Sequence, residues 1–254
     1  MNKSGGIGAM VLAFICTCNS PVLAHFTKLD NFQRKPSTNM GRKWQENHLD
    51  FSIVKVGNKD VAQARDNAVM TYVGNLHGLS ETTDWFGATA IDSSQPTDEY
   101  AGLVLRYADL SNYVLVALTD SDRDGLFDHI QISRGASPPY SWYNITPIKP
   151  TADVALRARI ANDFSHLGML QVVVQIDGNH NGIWGEPEDD TLVRGNLNPA
   201  GLGTGVGLAG TGGAELDDFG GYTTIPDPVP EPTTLAILAW GGLAFRRRLH
   251  CPSR

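Results

Sequence analysis

Only three cysteines occur in 254 residues, and none lies between residues 25 and 228. A disulfide framework is excluded for that body, which must be held by its core or by bound ions. Charged residues are few, at 19%, while hydrophobic ones reach 41%, which excludes wholesale disorder and a polytopic membrane protein. No long amphipathic helical pattern occurs, nor any HExxH, GxSxG or Lys-Ser/Thr phosphate loop. Basic charge is also scarce. Of 20 basic residues, Lys3 and four tail arginines fall outside 25–228, leaving 15; of 27 acidic ones only Glu231 does, leaving 26. So acidic a body disfavours nucleic acid as a partner and makes hard cations worth seeking.

Both ends of the chain are addresses. Lys3, an apolar run over 7–15 and the small-residue site Pro21-Val22-Leu23-Ala24 predict a secretory signal peptide over 1–24, and hence export. At the other end Pro226, Pro228, Pro230 and Pro232 alternate, predicting an extended stalk. An apolar run over 235–245 follows and is halted by Arg246, Arg247 and Arg248, a membrane-stop pattern. As a helix those eleven residues would span roughly 16 Å of a roughly 30 Å hydrocarbon core. Membrane contact through this helix is expected to be transient.

The order Val229-Pro230-Glu231-Pro232-Thr233-Thr234, apolar stretch, arginine cluster closely resembles the PEP-CTERM sorting signal of Gram-negative bacteria. The resemblance implies an exosortase-type processing enzyme as partner, acting at Pro230, Glu231 and Pro232. It also implies delivery to the cell surface or an exopolysaccharide-rich extracellular matrix. Residues 226–254 then form a linker plus sorting signal.

Between these ends the hydrophobic period is that of strands. Val154, Leu156, Ala158 and Ile160 alternate with Ala155, Arg157 and Arg159, and Ile130 and Ile132 alternate with His129, Gln131 and Ser133. Residues 113–118 and 170–176 are almost wholly apolar, as central strands are. Further strands are expected over 51–56, 68–73, 103–107 and 191–194. At least eight strands with Gly, Asp and Asn between them predict an all-β fold: a two-sheet antiparallel jelly-roll sandwich over 25–225. Gly205-x-Gly207-x-x-Gly210 matches a dinucleotide fingerprint, but no helix follows, so a tight sandwich strand is expected there.

The ordered fragments Asp30-Asn31-Phe32-Gln33-Arg34 with Trp44 downstream, Gly102-Leu103-Val104-Leu105-Arg106-Tyr107, Asn112-Tyr113-Val114-Leu115 and Asp217-Asp218-Phe219 resemble the concanavalin A-like lectin/glucanase superfold in its laminin-G-like branch. The resemblance implies a sandwich often used to bind carbohydrate. Function still has to come from a site.

Two loops carry candidate calcium ligands. Asp120, Asp122, Asp124 and Asp128 stand at positions 1, 3, 5 and 9 around Gly125, a spacing that wraps alternate side chains about one point. Position 12 is Gln131, so the usual closing carboxylate is missing. Asp177, Asn179, Asn181, Gly182 and Glu188 satisfy D-x-[DN]-x-[DN]-G-x5-E outright, after a strand rather than a helix. An acidic or Asn/Gly hairpin turn is the alternative at both places. The expected role of either ion is structural.

A glycan site needs aromatic faces beside hydrogen-bonding groups. Tyr140 and Trp142, in the loop Pro138-Pro139-Tyr140-Ser141-Trp142-Tyr143, and Trp184, inside the second acidic loop, are the candidates, with Trp85 a further possibility. Core or loop packing is the competing role for each. Cleavage within this fold needs Glu-x-Asp-x-Glu, and the nearest stretch, Glu186-Pro187-Glu188-Asp189-Asp190, is broken by proline. A non-catalytic, calcium-braced binder of exopolysaccharide or another glycan is expected. A matrix component without a glycan ligand, or an atypical glycan-cleaving enzyme, are the rivals.

Overall fold

Strand periodicity decides the architecture. A computed structural model describes residues 26–48, 51–91, 99–135, 143–177, 179, 181–184 and 189–222. The expected signal peptide, the sorting tail with Pro230, Glu231, Pro232 and Arg246 to Arg248, and the candidates Tyr140, Trp142 and Glu188 lie outside these described residues.

The strands, in chain order, are β1 (Phe26–Asp30), β2 (Trp44–His48), β3 (Phe51–Val56), β4 (Lys59–Ala64), β5 (Ala68–Tyr72), β6 (Trp85–Ile91), β7 (Glu99–Asp109) and β8 (Asn112–Asp120). After them come β9 (Phe127–Arg134), β10 (Tyr143–Thr151), β11 (Asp153–Asn162), β12 (Leu170–Asp177), β13 (Asp190–Leu197), β14 (Gly205–Thr211) and β15 (Glu215–Tyr222). One sheet has eight strands in the order β13-β12-β11-β6-β15-β4-β3, with β1 added on β15. The other has seven, in the order β10-β9-β8-β7-β14-β5-β2. Every pairing is antiparallel, and no helix occurs among the described residues. The expected all-β, two-sheet antiparallel sandwich is the fold of the chain.

Packing follows the pattern. On β11 Val154, Leu156, Ala158 and Ile160 enter the core between the sheets, with Phe86, Val116, Leu118, Val172 and Phe219 among their companions. On β8 residues 113–118 are buried on both faces, as a central strand requires. Val114, Val116 and Leu118 face the main core. Tyr113, Leu115 and Ala117 join Val69, Val104 and Ala209 in a second cluster on the other face of that sheet.

The strands that alternation does not announce are polar edges or glycine-rich. β2 and β10 are edge strands, and β10 tolerates Pro147 and Pro150 there because an edge leaves some N–H groups unpaired anyway. The fingerprint-like glycines lie on β14, where a Cβ on Gly207 would stand 2.0 Å from the Met70 carbonyl oxygen. Close strand packing, not a phosphate, is what that glycine serves.

Asp30, Arg34 and Trp44 converge under the first turn of chain. The Asp30 carboxylate, 7% exposed, accepts from Trp44 Nε1 at 2.8 Å, Phe32 N at 2.9 Å and Arg34 Nη2 at 3.0 Å. The Trp44 ring in turn packs against Phe32, Tyr72 and Phe219. One buried, fully engaged carboxylate thus locks the opening segment to the core.

The strand ends define two ends of the sandwich. Thr151 pairs with Phe127 in the seven-stranded sheet and Asp153 with Ile91 in the eight-stranded one, so the chain changes sheets across Ala152 alone. Asp120, opposite Glu99, and Asp177, opposite Ala155, finish their strands at that same end. Tyr222, Trp85 and the β11–β12 connection lie toward the opposite end.

Candidate functional site

The first acidic loop joins β8 to β9. Asp120 is 2% exposed, and its carboxylate accepts from the N–H groups of Arg123 (2.7 Å), Asp124 (3.3 Å) and Gly125 (2.9 Å). Gly125 takes φ +85°, the left-handed conformation that lets the chain turn there. Asp124 Oδ1 accepts from Leu126 N at 2.9 Å. As a result one oxygen from each of Asp120, Asp122 and Asp124 comes within 4.8 Å of the others. Burial, and then the neighbouring Asp124 charge, push the Asp122 carboxyl up from its ordinary value. Asp128 is not in this group. It accepts from Ser121 N (3.0 Å) and Ser121 Oγ (2.6 Å) and meets His129 Nδ1 at 2.7 Å, which hold it below the usual carboxylate range against its partial burial. Gln131, at position 12, is a β9 residue opposite Ala117.

The second loop repeats the turn. Asp177, also 2% exposed, accepts from Asn181 N (3.2 Å) and Gly182 N (2.7 Å). Gly182 has φ +75°, and Asn181 Oδ1 accepts from Ile183 N at 2.7 Å. Asn179 Oδ1 also receives Asn181 N, at 3.1 Å. The first turn therefore gathers three carboxylates about one point, as calcium favours, and the second repeats its backbone with acidic and amide side chains at the same alternate positions. They stand on different sheets at the same end of the sandwich.

Beyond Ile183 the second loop brings Trp184 onto the outer face of the eight-stranded sheet. There Arg157, on β11 and 9% exposed, points away from the core, and its Nε and Nη2 donate to Gln175 Oε1 at 2.8 and 2.5 Å. Three rings surround its guanidinium: Trp184 at 4.4 Å, Trp85 at 4.7 Å and Tyr222 at 5.0 Å, measured to the ring centroids. Burial pulls the Arg157 pKa down to about 10, still well above neutrality, so the cation persists among the rings. Tyr222 meets Trp184 edge-on at 5.8 Å and Phe26 at 4.7 Å.

Beside this cluster opens a cavity of about 140 Å³, lined by Phe26, Trp184, Tyr222, Asp218 and the backbone rise from Gly87 to Thr89. Glycine is required at its floor, since a Cβ on Gly87 would lie 2.8 Å from the Leu156 carbonyl oxygen and 3.4 Å from the Tyr222 ring. Asp218 at the rim pairs with Lys28 at 2.7 Å. Next to it Asp217, 5% exposed and opposite Thr89, is pushed up to about 6 by burial and by Asp218.

Of the aromatic candidates, then, Trp184 and Trp85 meet at one site, through an arginine that sequence reasoning left on the strand face. Tyr222 and Phe26 were missed. The signal for Tyr222 was available: it follows Gly220-Gly221, whose small size leaves room for the Phe26 ring, 2.5 Å from where a Gly220 Cβ would stand.

No protein-family model matches the sequence, and no curated protein does either. Among solved structures the chain is similar to a carbohydrate-binding module, CBM66, from Bacillus subtilis, with a TM-score of 0.45 and 9% identity over 71% of this chain and 96% of that one.

Proposed function

We propose that this chain is an exported, non-catalytic β-sandwich that binds a glycan at the aromatic-walled cavity on its eight-stranded sheet. The observation that carries the reading is the cavity itself: Trp184, Tyr222 and Phe26 supply apolar ring surface, while Asp218 and Thr89 supply polar groups beside it. Sugars offer that combination, apolar C–H faces ringed by hydroxyls. At about 140 Å³ the space is small beside the several hundred Å³ of a drug-sized pocket, so it takes one sugar unit or a chain end. Tyr140 and Trp142 would extend the contact if their loop reaches this face.

Calcium at the two acidic turns is part of the same proposal. Asp120, Asp122 and Asp124 would hold one ion, and Asp177, Asn179 and Asn181 with Glu188 a second. Both would brace a cysteine-free protein, and the second would fix the loop that carries Trp184. Export through the 1–24 signal, and handling of Pro230-Glu231-Pro232 by an exosortase-type enzyme, place the domain at the cell surface or matrix in this reading.

The test is retention on immobilised bacterial and plant polysaccharides, with wild-type protein and with Trp184→Ala. Wild type should be retarded by a subset of glycans, and Trp184→Ala should lose about tenfold or more in affinity. Equal retention of the two proteins would remove the cavity from the binding role. No retention of either would favour a matrix component without a glycan ligand.

A further inference from the structure

The connection between β11 and β12 is tightly built, yet presents apolar side chains to solvent. Asp163 sits at its base with its side chain 2% exposed. Its oxygens accept from Ser165 Oγ (2.5 Å), Ser165 N (2.9 Å), Asn196 N (2.7 Å) and His166 Nδ1 (3.1 Å). The Ser165 hydroxyl first, then the Asn196 N–H, hold its carboxyl well below the usual range. Asp163 N and Met169 N close the loop on the Met169 and His166 carbonyls at 3.0 Å each. Gly195 is needed opposite, because a Cβ there would stand 2.5 Å from Asp163 Oδ2. From this pinned base Phe164 and Leu167 project at 93% and 104% exposure, fully surrendered to water.

Exposing both is unfavourable relative to burial, and a loop so well fixed does not hide them by rearranging. Their position says what covers them. On β6 Trp85 is opposite Tyr222, the last described residue, and β11 runs past that level to Asn162 before the loop begins. With about 3.3 Å of rise per residue and about 4.8 Å between strands, the tip stands on the order of 15–20 Å from the point where the chain leaves the sandwich. From there 12 residues, prolines at alternate positions among them, lead to the apolar run at 235, a reach of about 40 Å if extended. The loop tip and the point where the chain leaves the sandwich thus lie at the same end. The acidic turns with Asp122, Asp124, Asp153 and Asp189 lie at the other, where their charge is kept from a hydrocarbon surface.

We propose that Phe164 and Leu167 insert into the interfacial region of a lipid bilayer while the apolar tail is embedded in it, so that the sandwich stands on the membrane with its acidic end outward. This rests on the reading that the apolar run over 235–245 enters the membrane. Two apolar side chains on a fixed loop give shallow, reversible attachment, and the tail makes it local.

The experiment uses the full chain with Cys16→Ser, Cys18→Ser and Cys251→Ser, carrying a polarity-sensitive fluorophore at Leu167→Cys or, as the control at the acidic end, at Ile183→Cys, itself 53% exposed. On adding phosphatidylcholine vesicles, emission at 167 should shift to the blue and rise about twofold or more, as for a probe leaving water, with no change at 183. Phe164→Ser with Leu167→Ser should lower vesicle partitioning about tenfold without moving the melting temperature, since neither side chain is packed. Vesicle binding with an unchanged probe at 167 would overturn the loop's role and leave the tail's intact. Failure to bind vesicles at all would overturn both. A shift at 167 that grows with protein concentration before lipid is added would overturn the bilayer in favour of a second copy of the chain.

Discussion

The two acidic turns share a backbone but spend it differently. At both, a 2%-exposed aspartate gathers the N–H groups of its own turn, a glycine takes positive φ, and the side chain before that glycine caps the residue after it. At 120–126 the ring of oxygens is all carboxylate, and the chain returns at once to a hairpin strand. At 177–183 it holds one carboxylate and two amides, and the chain runs on to carry Trp184 over Arg157. Spacing therefore fixes the turn, while composition sets the charge that it gathers. The first turn concentrates repulsion that a cation would relieve; the second gathers less charge over 177–183 and is tied to the aromatic site.

The largest effect should come from breaking the shared element. Asp177→Ala strands the N–H of Gly182 near a buried strand end and leaves Asn181 N only its Asn179 partner, and should cost about 2 kcal/mol in denaturant titration. Asp120→Ala should cost as much. Only the former should also change the tryptophan emission and glycan retention, because only its loop holds Trp184. Equal fluorescence changes in both variants would show that the two turns are not separable.

Next in size is the response to calcium. At an excess of about 100 times the dissociation constant a single site adds about 2.7 kcal/mol, which is several degrees in melting temperature for a domain of this length. Asp122→Asn with Asp124→Asn should abolish the part contributed by the first turn. Asn179→Ala should leave that part whole. Identical melting of wild type in calcium and in chelator would reduce both turns to hairpin chemistry.

How much of this was legible follows from the range of the interactions. Alternation on β11 and the doubly apolar 113–118 are local, so strands and core read directly from residues such as Val154 and Tyr113. The turns read equally well, because one aspartate and a glycine five residues later set them. The partners of Asp128 did not: it fits the ligand rhythm, but it lies outside the group of three carboxylates and is hydrogen-bonded to Ser121 and His129. Apart from the glycine pair before Tyr222, the Arg157 cluster was out of reach, since Trp85, Arg157, Trp184 and Tyr222 meet only through the strand order β15-β6-β11-β12. Lone residues on four segments carry no spacing. Phe164 and Leu167 form no spacing pattern either, and only their exposure marks them.

The smallest effect should be the most discriminating, because its sign changes. Burial and Asp124 raise the Asp122 carboxyl in the folded, ion-free turn above its value in the unfolded chain. The folded state then holds that proton more tightly. Asp122 accordingly costs nothing below the ordinary carboxylate pKa, and its cost enters as pH rises from there through the raised value. Without calcium, Asp122→Asn should remove this cost and raise the melting temperature slightly at neutral pH, with no gain under acid conditions. With calcium the same substitution deletes a ligand and should lower the melting temperature instead. Asn179→Asp imports the charge into the second turn and should behave in the opposite way: slightly harmful in chelator, helpful in calcium. If Asp122→Asn shifts melting in the same direction under both conditions, the first turn is an acidic hairpin whose carboxylates merely tolerate one another, and the contrast between the turns reduces to what the second one carries.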